Sequence, residues 1–308
     1  MSHRHFFQEL KVAFDQQYVH PLPKNHRFPM EKYHLLPAQL VREGTISEHQ
    51  FFTPQFIDQT LLSEVHCPAY LDRLVGLQLT DREQRVSGFV HSTQLIEREY
   101  RIMEGTRMAA ELALNHKAAM NIAGGTHHAF KDRAEGFCLL NDQVIAAEWL
   151  LKHQKAERIL IIDLDVHQGN GTAEMCVEKD AVFTFSMHGK NNYPLQKEKS
   201  SLDVELEDGT DDKTYLYLLE KSLNTILNQF QPQFVFYQCG VDILESDKLG
   251  KLSVTLAGCK RRDEIVFEAV RQLNVPIVCT MGGGYSQDIN IIVEAHASTF
   301  RSIQEILF

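Results

Sequence analysis

The stretch Ile159-Leu160-Ile161-Ile162-Asp163-Leu164-Asp165-Val166-His167 decides how this chain folds. Its first four residues are apolar and predict a buried strand. Asp163, Asp165 and His167 follow at alternate positions, and alternate side chains of an extended segment point to the same face. Open α/β sheets build their sites at such strand ends. Taken alone, the D-x-D-x-H motif is weak, because a solvated turn after a strand would explain it equally well.

Further apolar runs alternate with helix-length segments, and this alternation is typical of a mostly parallel sheet with helices on both faces. The predicted strands are Ala119–Ala123, Arg158–Leu164, Ala181–Met187, Phe234–Cys239 and Val275–Met281, with a short one at Lys11–Phe14. The predicted helices are Tyr33–Arg42, Pro54–Leu61, Leu95–His116, Asn141–Gln154, Thr214–Phe230, Thr255–Leu273 and Ile289–Ile306. The sequence therefore predicts a single α/β domain over residues 1–308.

The segment Gly189–Thr210 is polar, and we expect a loop there. Acidic residues cluster at and just beyond its end, and a solvated acidic face is the simplest interpretation of them. These residues are Glu205, Glu207, Asp208, Asp211 and Asp212.

Composition indicates an ordinary soluble globular protein, with 44% hydrophobic and 23% charged residues among 308. The net charge of −10 argues against a protein that grips nucleic acid directly. No apolar stretch approaches the roughly 20 residues of a membrane span, and Met1–Phe6 lacks the apolar core of a secretory signal. We therefore expect a cytoplasmic protein, or a nuclear one in a eukaryote. The six cysteines form no C-x-x-C pair and are expected to be buried free thiols.

Asp165, His167 and Asp242 form a candidate metal site, since both aspartates follow predicted strands of the same sheet. Three protein ligands leave positions open for water and substrate, as a catalytic site requires. These ligand types admit Zn²⁺, Fe²⁺ or Co²⁺. Considered separately, either aspartate is more simply explained as a helix cap or a turn residue.

Two other strand-end segments carry candidate catalytic groups. His127-His128 follows Gly124-Gly125-Thr126 and suits general acid–base work, with Asp163 and Asn170 available to orient the rings. Tyr285 follows three glycines, which allow the close backbone approach that presents a phenol to a developing oxyanion. A surface histidine pair and a phosphate-binding loop are the competing interpretations. The second is weaker, because no G-x-G-x-x-G or Walker pattern is present.

Aromatic residues near glycine or proline suggest the walls of a narrow apolar channel. Gly136-Phe137 precedes the predicted helix at Asn141, and Tyr193 precedes Pro194. Each aromatic residue by itself is more simply explained by core packing.

In this order, the motifs resemble those of the histone deacetylase superfamily, which has the arginase–deacetylase fold. The matching motifs are Gly124–Ala129, Gly136–Asp142, Asp163–Gly171 and Gly282–Tyr285. The segment Val241–Gly250 is most similar to the class IV branch and its bacterial relatives. The resemblance runs from about residue 20 to the end of the chain.

The resemblance implies roles for individual residues. Asp165, His167 and Asp242 would bind zinc. Asp163 would orient His127, and Asn170, where the family often has Asp, would orient His128, the more direct general base and acid. Tyr285 would polarise the scissile carbonyl. Gly136, Phe137, Tyr193 and Leu249 would form the substrate tunnel, and Arg27 would lie near the acetate exit cavity. A potassium site would comprise Asp163 and Ser186 with backbone carbonyls of Asp165, His167 and Met187.

The activity implied by the resemblance is metal-dependent removal of acetyl or longer acyl groups from lysine in proteins or peptides. Neutral Gln168 and Asn170 disfavour the second metal of an arginase-like hydrolase. Acetylpolyamine hydrolysis stays an alternative, although Leu249 stands where polyamine-specific relatives place an acidic residue. The remaining alternative is a non-catalytic, metal-stabilised binding module. Oligomeric state and acyl length do not follow from the residues.

Overall fold

The computed structural model describes residues 9–308 and contains one eight-stranded sheet in which every pairing is parallel. The strand order is β2-β1-β3-β8-β7-β4-β5-β6. The strands are Lys11–Ala13 (β1), Phe51–Phe52 (β2), Ala118–Asn121 (β3), Ile159–Asp163 (β4), Val182–Gly189 (β5), Leu202–Leu206 (β6), Phe234–Gln238 (β7) and Ile277–Thr280 (β8). The predicted parallel α/β architecture is confirmed.

Ten α-helices occur in the described part of the chain and cover the sheet in two groups. They are Lys32–Arg42 (α1), Gln59–Val65 (α2), Pro68–Val75 (α3), Asp81–Ser87 (α4), Thr93–His116 (α5), Asp142–Lys152 (α6), Asn170–Cys176 (α7), Asp212–Phe230 (α8), Leu256–Leu273 (α9) and Ile289–Leu307 (α10). Helices α8, α9, α10 and α1 pack in succession, as do α2, α6 and α5, with α7 against α6. None of these helices is both long and apolar enough to cross a membrane.

The central strands are buried on both faces, because helices flank the sheet on each side. All residues of β3, β4, β7 and β8 are buried, in agreement with the continuous apolar runs in their sequences. Strand register aligns the last residues of these four strands in one row, Asn121, Thr280, Gln238 and Asp163, and Asp163 pairs with Ser186 of β5. The segments that carry the two histidines, the three metal-ligand candidates and Tyr285 leave the sheet just after this row.

The predicted start of the helix Pro54–Leu61 is wrong. The helix begins at Gln59, because the Asp58 carboxylate accepts a hydrogen bond from the Thr60 amide at 2.9 Å and caps it.

The predicted loop Gly189–Thr210 is also partly wrong, since β6 lies within it at Leu202–Leu206 and pairs with β5. The signal was present as an alternation of Leu202, Val204 and Leu206 with acidic residues, which is the period of an edge strand. The acidic residues do face solvent except Asp212. Its half-buried carboxylate accepts hydrogen bonds from the amide and hydroxyl of Thr255, at 2.8 and 2.6 Å.

All six cysteines lie in the described residues and are free. Five are buried and Cys67 is half-buried, as predicted.

Candidate active site

Three predicted metal ligands converge beyond the carboxyl ends of neighbouring strands β4 and β7. One ligand atom from each of Asp165, His167 and Asp242 lies within 4.8 Å of the others, and no other such His, Cys, Asp or Glu cluster occurs in residues 9–308. His167 Nδ1 is 3.1 Å from Asp165 Oδ1 and 3.1 Å from Asp242 Oδ2. All three side chains are buried.

Backbone amides fix the two carboxylates in this arrangement. Asp165 Oδ2 accepts from the Gly283 amide and Asp242 Oδ1 accepts from the Val166 amide, both at 2.8 Å. A side chain at position 283 would place its Cβ 2.0 Å from Asp242 Oδ2, so glycine is required there. The rigid support leaves one oxygen of each aspartate facing His167.

The donor set fits a divalent cation. Two carboxylate oxygens converge on His167 Nδ1 in a buried space, and although burial lowers the pKa of His167, the two carboxylates outweigh it and raise that pKa to about 10. A site that holds a positively charged group so strongly between two carboxylates also fits a divalent cation, which would take the place of the Nδ1 proton, and three ligands of this kind suit a catalytic metal. Asp165, His167 and Asp242 would therefore hold the metal.

The two adjacent histidines, which leave the sheet after β3, lie beside these ligands with their rings 4.1 Å apart. His127 Nδ1 is 2.7 Å from Asp163 Oδ2, and His128 Nδ1 is 2.6 Å from Asn170 Oδ1. The structure thus brings both expected orienting residues to the rings.

The two rings have opposite protonation tendencies. Burial lowers the pKa of His127, but the carboxylates of Asp163 and Asp165 outweigh it and raise that pKa to about 9. Burial and the positive charge of the adjacent His127 hold the pKa of His128 well below its usual value. His128 is therefore the neutral member of the pair.

The loop that carries the histidines is fixed by Asp142, which the sequence prediction did not include in the site. Its buried carboxylate accepts from the amides of Gly125 and Thr126, at 3.0 and 2.9 Å, and from the hydroxyls of Thr126 and Thr106, at 2.8 and 2.7 Å. Asn141, by contrast, provides the helix cap by accepting from the Val144 amide. The Asn-Asp pair is a cap signal in the sequence, and nothing in it indicates a second contact across the loop.

Tyr285 is held by a second residue that the prediction missed. Asp247 accepts from the Tyr285 amide at 2.6 Å and from the amides of Leu249 and Gly250. The Tyr285 ring lies 6.3 Å from that of His167. Burial raises the pKa of the Tyr285 phenol well above its usual value, and the Asp165 charge adds to this effect. The hydroxyl therefore stays protonated and able to donate.

The residues expected to form a tunnel do line one cavity, of about 410 Å³, which reaches His128, His167 and Tyr285. They are Gly136, Phe137, Tyr193 and Leu249. The Tyr193 ring packs edge-on to His128 at 5.0 Å between centroids. Gly136 has φ +50°, and a Cβ there would lie 2.6 Å from His128 Cδ2, so glycine is needed beside the ring. Arg27, Arg85 and Lys251 also line this cavity, and no carboxylate among the described residues does.

The expectation for Arg27 is wrong. Arg27 is exposed and lines the outer cavity, whereas the small internal cavity of about 30 Å³ behind the ligands is lined by Arg98. Phe28, the next residue, is buried on that internal cavity, and Arg27 takes the opposite, outward direction.

Lys32 is, besides Arg98, a buried cationic residue near the site, and its Nζ donates to the carbonyl of Gly282 at 2.7 Å. Burial lowers the pKa of Lys32 to about 8, against the opposing charges of Asp242 and Asp165. A lysine at the start of a helix looks like a surface residue, so no sequence signal indicates this contact.

The residues of the expected potassium site lie side by side, because Asp163 on β4 pairs in register with Ser186 on β5. The Ser186 hydroxyl is 2.9 Å from His188 Nδ1. Potassium binding stays a prediction.

The chain is similar to known proteins in both sequence and structure. The model of the histone deacetylase domain matches residues 26–300. An uncharacterised protein of a Picosynechococcus strain is 42% identical over 96% of this chain and 98% of its own length. Histone deacetylase 2 of Arabidopsis thaliana is 32% identical over 86% of this chain and 70% of its own. The crystal structure of a histone deacetylase homologue from Aquifex aeolicus superposes with a TM-score of 0.84 at 25% identity, covering 96% of this chain and 84% of that one.

Proposed function

The chain belongs to the histone deacetylase family, and from this premise we propose that it is a zinc-dependent lysine deacylase. It would hydrolyse acetyl or longer acyl groups from the ε-amine of lysine in proteins or peptides. The observation that carries the proposal is that the two oriented histidines, the three-ligand cluster and Tyr285 meet at one cavity. A divalent cation bound by the cluster would supply Lewis acidity to the acyl carbonyl and to water.

The protein's own residues perform the proton transfers. His128 has Nδ1 engaged by Asn170, so Nε2 takes a proton from the attacking water. The same nitrogen then returns the proton to the departing lysine amine. His127, positively charged beside it, and the Tyr285 hydroxyl stabilise negative charge on the carbonyl oxygen.

The cavity lining favours acyl-lysine over acetylpolyamines. Arg27, Arg85 and Lys251 surround its outer part, and they would repel a substrate that carries several amines. An acylated lysine side chain is neutral and meets no such penalty. Phe137, Tyr193 and Leu249 supply apolar contact for its methylenes.

The experiment combines metal content with turnover. Purified protein is assayed for bound metal and for hydrolysis of acyl-lysine peptides from acetyl to myristoyl, and of N-acetylspermidine. We expect one metal per chain, lost in Asp242→Ala, and peptide hydrolysis that falls at least about 10²-fold in His128→Ala. Exposed His153→Ala is the matched control and should retain full activity. Metal-loaded protein that hydrolyses acetylspermidine faster than every peptide would overturn the substrate assignment, and protein inactive on all of them would overturn the enzyme.

A further inference from the structure

Glu135 connects the tunnel wall to the residue that orients His128. Its Oε1 accepts from Arg133 Nε at 2.8 Å. Its Oε2 accepts from the Tyr193 hydroxyl at 2.5 Å and faces Asn170 Nδ2 at 3.4 Å. The side chain is 16% exposed. This carboxylate belongs neither to the metal-ligand cluster nor to the groups that transfer protons.

The contact decides which way the Asn170 amide points. An amide has a donating and an accepting end, and an ionised carboxylate only accepts. Glu135 therefore attracts the NH₂ end of Asn170, which leaves the oxygen end towards His128 Nδ1. That oxygen requires a proton on Nδ1, so Nε2 keeps its lone pair.

We propose that Glu135 is a positioning residue that sets the tautomer of His128 through the amide of Asn170. Without Glu135 the amide is free to turn and donate to Nδ1, and the proton then moves to Nε2, where it blocks base function. The tautomer assignment depends only on this geometry, while its effect on turnover rests on the proposed function.

The pair also accounts for an amide where the family often has a carboxylate. An aspartate at position 170 would accept from His128 Nδ1 in either orientation and would need no Glu135. In this chain, however, it would face Glu135 at about the present distance of 3.4 Å, and two carboxylates so close repel each other. Glu135 together with Asn170 provides one negative charge on the Nδ1 side of His128. An aspartate at position 170 in a protein without Glu135 would also provide one negative charge on that side.

The spectroscopic test reads the tautomer directly. Protein with ¹⁵N-labelled histidine, reconstituted with Zn²⁺, is measured by long-range ¹H–¹⁵N correlation, and His128 is assigned by comparison with His128→Gln. We expect a protonated Nδ1 and an unprotonated Nε2 in the wild type, and a shift of the proton towards Nε2 in Glu135→Met. An unchanged pattern in Glu135→Met would overturn the proposal whether or not the protein is an enzyme.

The kinetic test uses rescue. Glu135→Met should lower kcat at least about 10-fold, with about 10⁴-fold as the limit known for a histidine held in the wrong tautomer by an amide in a serine protease. Asn170→Asp should also be impaired, because of repulsion, and the double variant should be more active than either single one. A double variant no more active than Glu135→Met would mean that Glu135 acts by another route.

Two further variants separate tautomer control from bracing of the tunnel. Tyr193→Phe removes the hydroxyl from Glu135 but leaves the contact with Asn170, so it should affect KM more than kcat and leave the His128 spectrum unchanged. If Glu135→Met does not fold, Glu135→Gln takes its place, with the same rescue by Asn170→Asp required. Glu43→Gln, on a carboxylate paired with Arg301, is the matched control.

Discussion

Replacement of Asp142 by asparagine tests whether one buried carboxylate holds the histidine loop. Hydrogen bonds to a charged partner contribute about 1.5–3 kcal/mol and neutral ones about 0.5–1.5 kcal/mol. The asparagine oxygen keeps the bonds from the Gly125 amide, the Thr126 amide and the Thr126 hydroxyl but weakens them by about 1 kcal/mol each. The NH₂ group takes the place of the oxygen that accepts from the Thr106 hydroxyl. Since a neutral amide is less costly to bury than a carboxylate, we expect a net loss of about 2 kcal/mol in the free energy of unfolding.

The same change should lower turnover more than its effect on stability suggests. A displacement of catalytic groups by about 1 Å can cost about 10²-fold in rate, and the loop carries both His127 and His128. Urea denaturation and kcat are measured on the same preparations.

Asp212→Asn is the matched control, because Asp212 also accepts from a backbone amide and a hydroxyl, both of Thr255. It is half-buried and outside the site, so we expect a loss of at most about 1 kcal/mol in stability and an unchanged kcat. An Asp142→Asn protein with wild-type stability and kcat would mean that other contacts suffice to hold the loop and that the carboxylate is not needed.

Three further predictions follow from single residues. Tyr285→Phe should lower kcat by about 10²–10³ if the hydroxyl donates to the oxyanion, and near-normal turnover would remove Tyr285 from the mechanism. Burial lowers the pKa of His66 to about 4, while its Nδ1 faces the Phe130 carbonyl and its Nε2 accepts from the Asn141 amide. In the unfolded chain the His66 ring takes up a proton below about pH 6.5, whereas in the native protein it does so only near pH 4. The free energy of unfolding is therefore unaffected by His66 above pH 6.5 and falls by about 2 kcal/mol by pH 5. Urea midpoints at both pH values should show this slope in wild type, and a His66→Gln protein with the same slope would contradict it. Arg27→Ala should leave inhibition by acetate unchanged, because Arg27 lies outside the internal cavity; weaker inhibition would return Arg27 to the exit path.

Much of the site could be predicted because parallel sheets gather strand ends. The apolar runs located β3, β4, β7 and β8, and residues directly after them had to meet at one edge whatever their separation in sequence. Thus Asp165, His167 and Asp242 come together although Asp242 is far along the chain. The sequence does not predict edge strand β6, because a short stretch of alternating apolar and acidic residues is equally typical of a solvated loop.

The sheet, the chemical types at its edge and the resemblance to a family can be derived from the sequence alone, since these depend on local apolar periodicity and on short motifs. Which distant side chains support those motifs depends on the tertiary structure. Asp142, Asp247 and Glu135 act through contacts with other loops, and the direction of a side chain in irregular backbone has no periodicity to reveal it. For the same reason Arg27 points outward while Lys32 is buried, a difference set by packing and not by residue type.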